Sequence, residues 1–124
     1  MVTALMIQPG KQPCITQLCA DGLYLNYAVS KDCDTLCCAS MFGIEKNIAV
    51  VYAADGVFYG MEANRRIGKR IITGTFYIVK VENGALRSLT EKEIVKYSLR
   101  FREREFFSDT EAIDAIFSEL ESDS

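Results

Sequence analysis

Apolar residues along this chain come first in short runs broken by turn chemistry, and then, near the C-terminus, at helical spacing. Val2 to Gln8 reads as a short, largely buried strand, stopped by Pro9-Gly10, which pairs a fixed φ with a permissive residue. A second strand is expected near Cys14 to Cys19, before a turn signal at Ala20-Asp21-Gly22. The run Leu23 to Val29 is too brief for periodicity to decide between a strand and a short helix. Thr35 to Phe42 and Asn47 to Ala53 are β-rich and separated by Gly43-Ile44-Glu45-Lys46. Ala54-Asp55-Gly56 then turns the chain into Val57-Phe58-Tyr59, which completes an antiparallel meander. A loop over residues 61–69 leads into Arg70 to Val81, whose Ile71, Ile72, Phe76, Ile78 and Val79 populate both faces, as a central strand does.

Beyond Val81 the period changes. Asn83-Gly84 marks a turn, and Thr90-Glu91-Lys92-Glu93 is a capping box that starts a helix with Ile94, Tyr97 and Phe101 on its apolar stripe and Val95 and Leu99 beside it. A second box, Ser108-Asp109-Thr110-Glu111, opens a helix with Ile113, Ile116, Phe117 and Leu120 on one face and acids on the other. The pattern predicts an α+β fold, a mostly antiparallel sheet of about five to six strands with two C-terminal helices. One domain is expected over residues 1–124, with the sheet in 2–81 and the helices in 90–121.

Composition adds limits. With 124 residues, 49% of them hydrophobic and 25% charged, the chain has ordinary globular content and needs no disulfide or structural metal to bury a core. No apolar run approaches the roughly 20 residues of a bilayer crossing, and the N-terminus lacks a signal-peptide pattern, so a cytoplasmic protein with no membrane partner is expected. Cys14, Cys19, Cys33, Cys37 and Cys38 are odd in number and read as free, buried thiols of a reducing compartment. The net charge of −3 argues against direct nucleic-acid binding. It hides an asymmetry, because residues 65–104 are rich in Arg and Lys while Glu105 to Ser124 carries acids and no base.

The chain has no histidine, which removes the usual general base and the commonest metal ligand. Cys33-x-x-x-Cys37-Cys38 lacks zinc-knuckle and thioredoxin-type spacing, so no metal and no cofactor are expected. Asp32 with Asp34 and Glu91 with Glu93 sit in turn or capping contexts. Gly68-Lys69 and Thr73-Gly74-Thr75 lack the order of a phosphate loop. The positive signal is Asn64-Arg65-Arg66 with Lys69 and Arg70, an amide and cations suited to phosphate or carboxylate, with Tyr59 or Tyr77 near enough in sequence to stack on a base. The same residues also read as a solvated basic loop that pairs with the acidic tail. Lys92, Lys96, Arg100 and Arg104 form a basic stripe of the kind that faces solvent on a helix.

Met6-Ile7-Gln8-Pro9-Gly10-Lys11-Gln12-Pro13, the hairpin from Ala54-Asp55-Gly56 to Asn64-Arg65, and Ile72-Thr73-Gly74-Thr75-Phe76-Tyr77-Ile78-Val79 followed by Ser88-Leu89-Thr90 resemble a family of small domains of unknown function. Its members are encoded on phages, plasmids and conjugative elements of gut bacteria, and some relatives look similar to anti-CRISPR proteins. The resemblance spans about residues 5–101 and departs after Leu23, where the family runs into a longer helix and a Gly-Gly turn. It assigns no catalytic residue. Pro9, Gly10, Asn64, Arg65, Gly74 and Thr75 carry over as motif positions, Pro9 and Gly10 as turn formers and Gly74 as a site of a bulge or close backbone approach.

The resemblance implies a mobile-element accessory protein. Three functions follow. The first is a stoichiometric, non-catalytic inhibitor of a host defence protein such as a CRISPR effector, using the acidic tail or the basic loop. The second is a sponge, in which a homo-oligomer buries a phosphate-bearing cyclic nucleotide against Asn64, Arg65 and Arg66. The third is a small enzyme using Cys37 or Cys38, for which no partner base can be named.

Overall fold

The strands form where apolar residues alternate and turn residues interrupt them. In the computed structural model, which describes residues 1–19, 21–31, 33–103 and 105, they assemble an antiparallel six-stranded sheet. β1 (Val2–Ile7) pairs with β2 (Cys14–Leu18) on one side. Its other neighbour is β7 (Phe76–Glu82), which in turn pairs with β4 (Ile48–Ala53), and β3 (Ala39–Glu45) closes the far edge. β8 (Ala85–Arg87) folds back on the end of β7 through Asn83 and Gly84, whose φ values of 52° and 75° suit a tight two-residue hairpin. β5 (Ala63–Ile67) and β6 (Arg70–Thr73) make a separate two-stranded ribbon.

Because side chains alternate along a strand, each core strand serves two cores. On one face Ala4, Val51, Tyr77 and Val79 pack with Leu25, Ala28 and Val29 of α1 (Gly22–Val29), together with Cys37 and Met61. On the other, Leu5, Ile7, Val50, Phe76 and Ile78 meet Ile67 and Ile72 of the ribbon and Tyr97 and Phe101 at α2 (Glu91–Arg100). The sheet is thus the middle layer of three. β7 lies between β1 and β4, the central position expected of its sequence.

The α+β architecture and the first capping box stand as read. Thr90 accepts from the Glu93 amide while Glu93 accepts from the Thr90 amide at 2.8 Å. The second C-terminal helix lies outside the described residues. Leu23 to Val29 is helical because Asp21 is an N-cap: its carboxylate accepts from the amides of Leu23 and Tyr24 at 2.8 and 3.2 Å.

Several boundaries are corrected. Residues 70–81 are two strands, since Gly74 at φ +72° breaks the run and donates its amide to the Glu62 carbonyl at 2.8 Å. Val57 to Tyr59 belongs to a 3-10 helix (Gly56–Tyr59) ended by Gly60 at φ 76°. The turn between β3 and β4 centres on Asn47, at φ 65°, so Gly43 stays inside β3 beside a bulge. Residues 61–69 contain β5 instead of one continuous loop. All five cysteines are free thiols, but only Cys37 is buried, with Cys14 and Cys38 exposed.

Two positions test this packing. A Cβ on Gly74 would sit 2.5 Å from Met61 Sδ in addition to the left-handed backbone. Gly74→Ala should therefore cost on the order of 1–2 kcal/mol in urea unfolding, and Met61→Ala in the same chain should recover none of the backbone part. The Tyr97 hydroxyl is buried with no hydrogen-bond partner among the described residues. Burial, then the Glu45 carboxylate, which stands nearby without hydrogen-bond geometry to the hydroxyl, pushes its pKa up to about 12. Tyr97→Phe should be neutral or stabilising by up to about 1 kcal/mol.

Candidate functional site

β5 and β6 pair in register from Ile67 with Arg70 back to Arg65 with Ile72, and a register shift then falls between Ala63 and Arg65. Asn64 occupies that bulge. Strict alternation would send Asn64 and Arg65 to opposite faces, whereas here both are interior, at 0% and 1% exposure. Asn64 Nδ2 donates to the carbonyls of Ile7 and Gly74, both at 2.8 Å, so it joins the end of β1 to the residue that separates β6 from β7. Arg65 Nη1 donates to Asn64 Oδ1 at 2.7 Å, which fixes the amide's orientation.

The rest of the guanidinium reaches further. Arg65 Nη2 donates to the Lys11 carbonyl at 2.7 Å and to the Phe101 carbonyl at 3.1 Å, and Nε shares the Phe101 carbonyl at 3.3 Å. Phe101 is the C-cap of α2, where unsatisfied carbonyls concentrate negative potential and a cation is favoured. The planar fork therefore holds three chain segments that are remote in sequence. Pro9 and Gly10 form the turn that presents Lys11. The Lys11 amide donates to the Gln8 carbonyl at 3.2 Å, and Gly10 has φ +68°.

The residues expected to gather on one binding loop are thus divided. Asn64 and Arg65 are committed to the interior. Tyr77 is buried on the α1 side with its hydroxyl donating to the Ala28 carbonyl at 3.0 Å, and its ring has no solvent face to offer a base. Thr75 is fully buried. Arg70 is half-buried, its guanidinium 4.7 Å from the centroid of Phe42 and 5.7 Å from that of Tyr52. Arg66 and Lys69 are exposed on the ribbon, and the Arg66 amide donates to Glu105 Oε2 at 2.8 Å. Tyr59 is exposed on the opposite side of the sheet from the ribbon, where it lines a cavity of about 560 Å3 with Lys31, Cys33, Asp34 and Thr35.

Other candidates are structural or isolated. In the helical stripe Lys96 pairs with Glu45 at 2.7 Å, and that ammonium holds the Glu45 carboxyl below its usual pKa. Lys92 and Arg100 face solvent, and Arg104 lies outside the described residues. Among the described residues no group of three His, Cys, Asp or Glu side chains is placed to hold a metal ion. Burial, with Asp55 and Cys33 adding to it, pushes the Cys37 thiol up to about 11, so the resting side chain is a protonated thiol and any proton it loses must be taken up by a reaction partner. No helix among the described residues is long and apolar enough to cross a membrane.

The sequence reading missed an aromatic side of the molecule. Leu23, Tyr24 and Tyr27 are exposed on α1, with Tyr27 at 61%. Leu36 follows in the segment to β3, Met41 projects beyond it on the face that α1 covers, and Phe58 and Tyr59 are exposed on the 3-10 helix. The signal was available in helical phase: once Leu25, Ala28 and Val29 are assigned inward, Leu23, Tyr24 and Tyr27 are left outward.

Replacing Arg65 with Met should remove the donors of Lys11, Phe101 and Asn64 together and cost about 3 kcal/mol or more in urea unfolding, whereas Lys69→Ala should stay within about 0.5 kcal/mol. Equal, small losses for both would contradict the interior role.

No curated protein and no solved structure matches the chain. The family model of DUF3846, described as a domain of unknown function, matches residues 2–102, which runs from the first residue of β1 past the Phe101 cap. The chain belongs to the DUF3846 family.

Proposed function

We propose that the chain is an accessory protein of a phage, plasmid or conjugative element that inhibits a bacterial defence system, of anti-CRISPR type, by stoichiometric non-catalytic binding to a host protein in the cytoplasm. The observation that carries the binding surface is the shared placement of Leu23, Tyr24, Tyr27, Leu36, Met41 and Tyr59 on the α1 side of the sheet. Tyr, Phe and Met are the residues that interface cores favour, since they desolvate large rigid area at low entropic cost. Asp21, Lys31 and Asp34 supply charged residues of both signs for a rim.

This reading keeps the inhibitor hypothesis and moves its surface from the acidic tail or the basic loop to the aromatic side. The sponge reading weakens for a physical reason: Asn64 and Arg65, two of its three phosphate ligands, are engaged by interior carbonyls. Exposing them to a nucleotide would open the contact between the ribbon, β1 and α2.

A titration tests the proposal. The purified chain is added to a CRISPR effector complex cleaving its target DNA. Cleavage should fall to an end point set by the amount of effector and independent of time. Tyr24→Glu combined with Tyr27→Glu should abolish inhibition with an unchanged unfolding midpoint. Inhibition by the well-folded double variant, loss that deepens with time at substoichiometric chain, or undiminished cleavage at large excess across effector types would each overturn it.

A further inference from the structure

Between α1 and β3 the backbone doubles back on Ser30. The Cys33 amide donates to the Ser30 carbonyl at 3.2 Å, and the Cys37 amide donates to Ser30 Oγ at 2.7 Å. Two cysteines four positions apart are thereby brought to the same residue. Their thiols flank Thr35: the Thr35 amide donates to Cys33 Sγ at 3.4 Å, and Cys37 Sγ donates to the Thr35 carbonyl at 3.6 Å. The arrangement is anchored at both ends, because Ser30 Oγ also donates to the Asn26 carbonyl at 2.6 Å and the Cys38 amide donates to Asp55.

The two sulfurs differ in access. Cys33 is partly exposed and lines the cavity of about 560 Å3 that Lys31, Asp34, Thr35 and Tyr59 complete. Cys37 is fully buried against the core beneath α1. A small oxidant in solvent therefore meets Cys33 first and finds Cys37 behind it. An accessible sulfur poised beside a second, resolving thiol is an arrangement that reversible thiol oxidation uses. Cys33 also contributes to the raised pKa of Cys37, and both sulfurs hydrogen-bond to the Thr35 backbone.

We propose that Cys33 and Cys37 are a peroxide-responsive dithiol that closes reversibly into an intramolecular disulfide. Hydrogen peroxide oxidises the Cys33 sulfur to a sulfenic acid with release of water. The Cys37 sulfur then attacks the sulfenic sulfur, the S–S bond forms as the S–O bond breaks, and the Cys37 proton leaves with the departing hydroxide as a second water. A dithiol reductant reverses the closure. The bond would tie a five-residue loop that carries Leu36, so oxidation would stiffen the edge of the aromatic side; that consequence rests on the proposed binding surface, but the chemistry does not.

The test uses the full chain with Cys14, Cys19 and Cys38 changed to Ser, so that only Cys33 and Cys37 remain. Graded hydrogen peroxide should remove both free thiols, lower the monomer mass by about two mass units and give a Cys33–Cys37 cross-linked peptide, all restored by dithiothreitol. Cys33→Ser in the same background should leave Cys37 unmodified at peroxide levels that fully close the parent, and Cys37→Ser should leave Cys33 trapped as a sulfenic acid that reacts with dimedone. Persistence of both thiols, covalent dimers in place of the internal bond, or faster oxidation of Cys37 than of Cys33 would overturn the assignment. These readouts are independent of any inhibition assay, so failure of the binding proposal leaves them standing.

Discussion

A guanidinium buried inside a protein must find acceptors, and the position of Arg65 obliges three segments to supply them. Lys11 after β1, Phe101 at the end of α2 and the Asn64 bulge converge on one planar group, while Asn64 itself holds the end of β1 to the Gly74 break. Moving any of these apart would strand a charge in a low-dielectric interior, which costs several kcal/mol. Hydrophobic contact between Phe76, Ile72, Ile67 and Phe101 supplies the attraction between ribbon, sheet and helix. The polar cluster sets their register, because apolar packing alone tolerates sliding and hydrogen bonds to specific carbonyls do not.

Much of the layer that surrounds this cluster was legible in the sequence. Alternation gave both faces of β7 their apolar residues, Asn83-Gly84 read correctly as a hairpin turn, and Thr90 to Glu93 started α2 as a capping box. The site was less legible. Period-two reasoning assumes an unbroken strand, and a bulge at Asn64 changes parity by one residue. Asn64-Arg65-Arg66 therefore looked like one polar loop, although its first two members point inward and the third outward. Val57 to Tyr59 misled because β-favouring residues became helical where Gly60, at φ 76°, could end the turn.

That division has a functional consequence. Arg65, which looked like a ligand-binding cation, serves architecture, whereas Arg66 and Lys69 stay exposed on the ribbon and the α1 side presents aromatic and aliphatic area to solvent. Under the proposed function, that area is the surface that meets the partner. The Cys33–Cys37 pair sits at the border of this side, on the segment between α1 and β3, beside the part proposed to bind.

The interior placement of Arg65 is the claim on which the rest stands, and nitrogen-15 NMR of the arginine Nε–H groups measures it directly. The account predicts that Arg65 Nε–H exchanges with water far more slowly than those of the exposed Arg87 and Arg102, and that its resonance does not move when phosphate or a cyclic nucleotide is added. Exchange as fast as that of Arg102, or a shift of the Arg65 signal on adding either anion, would contradict it.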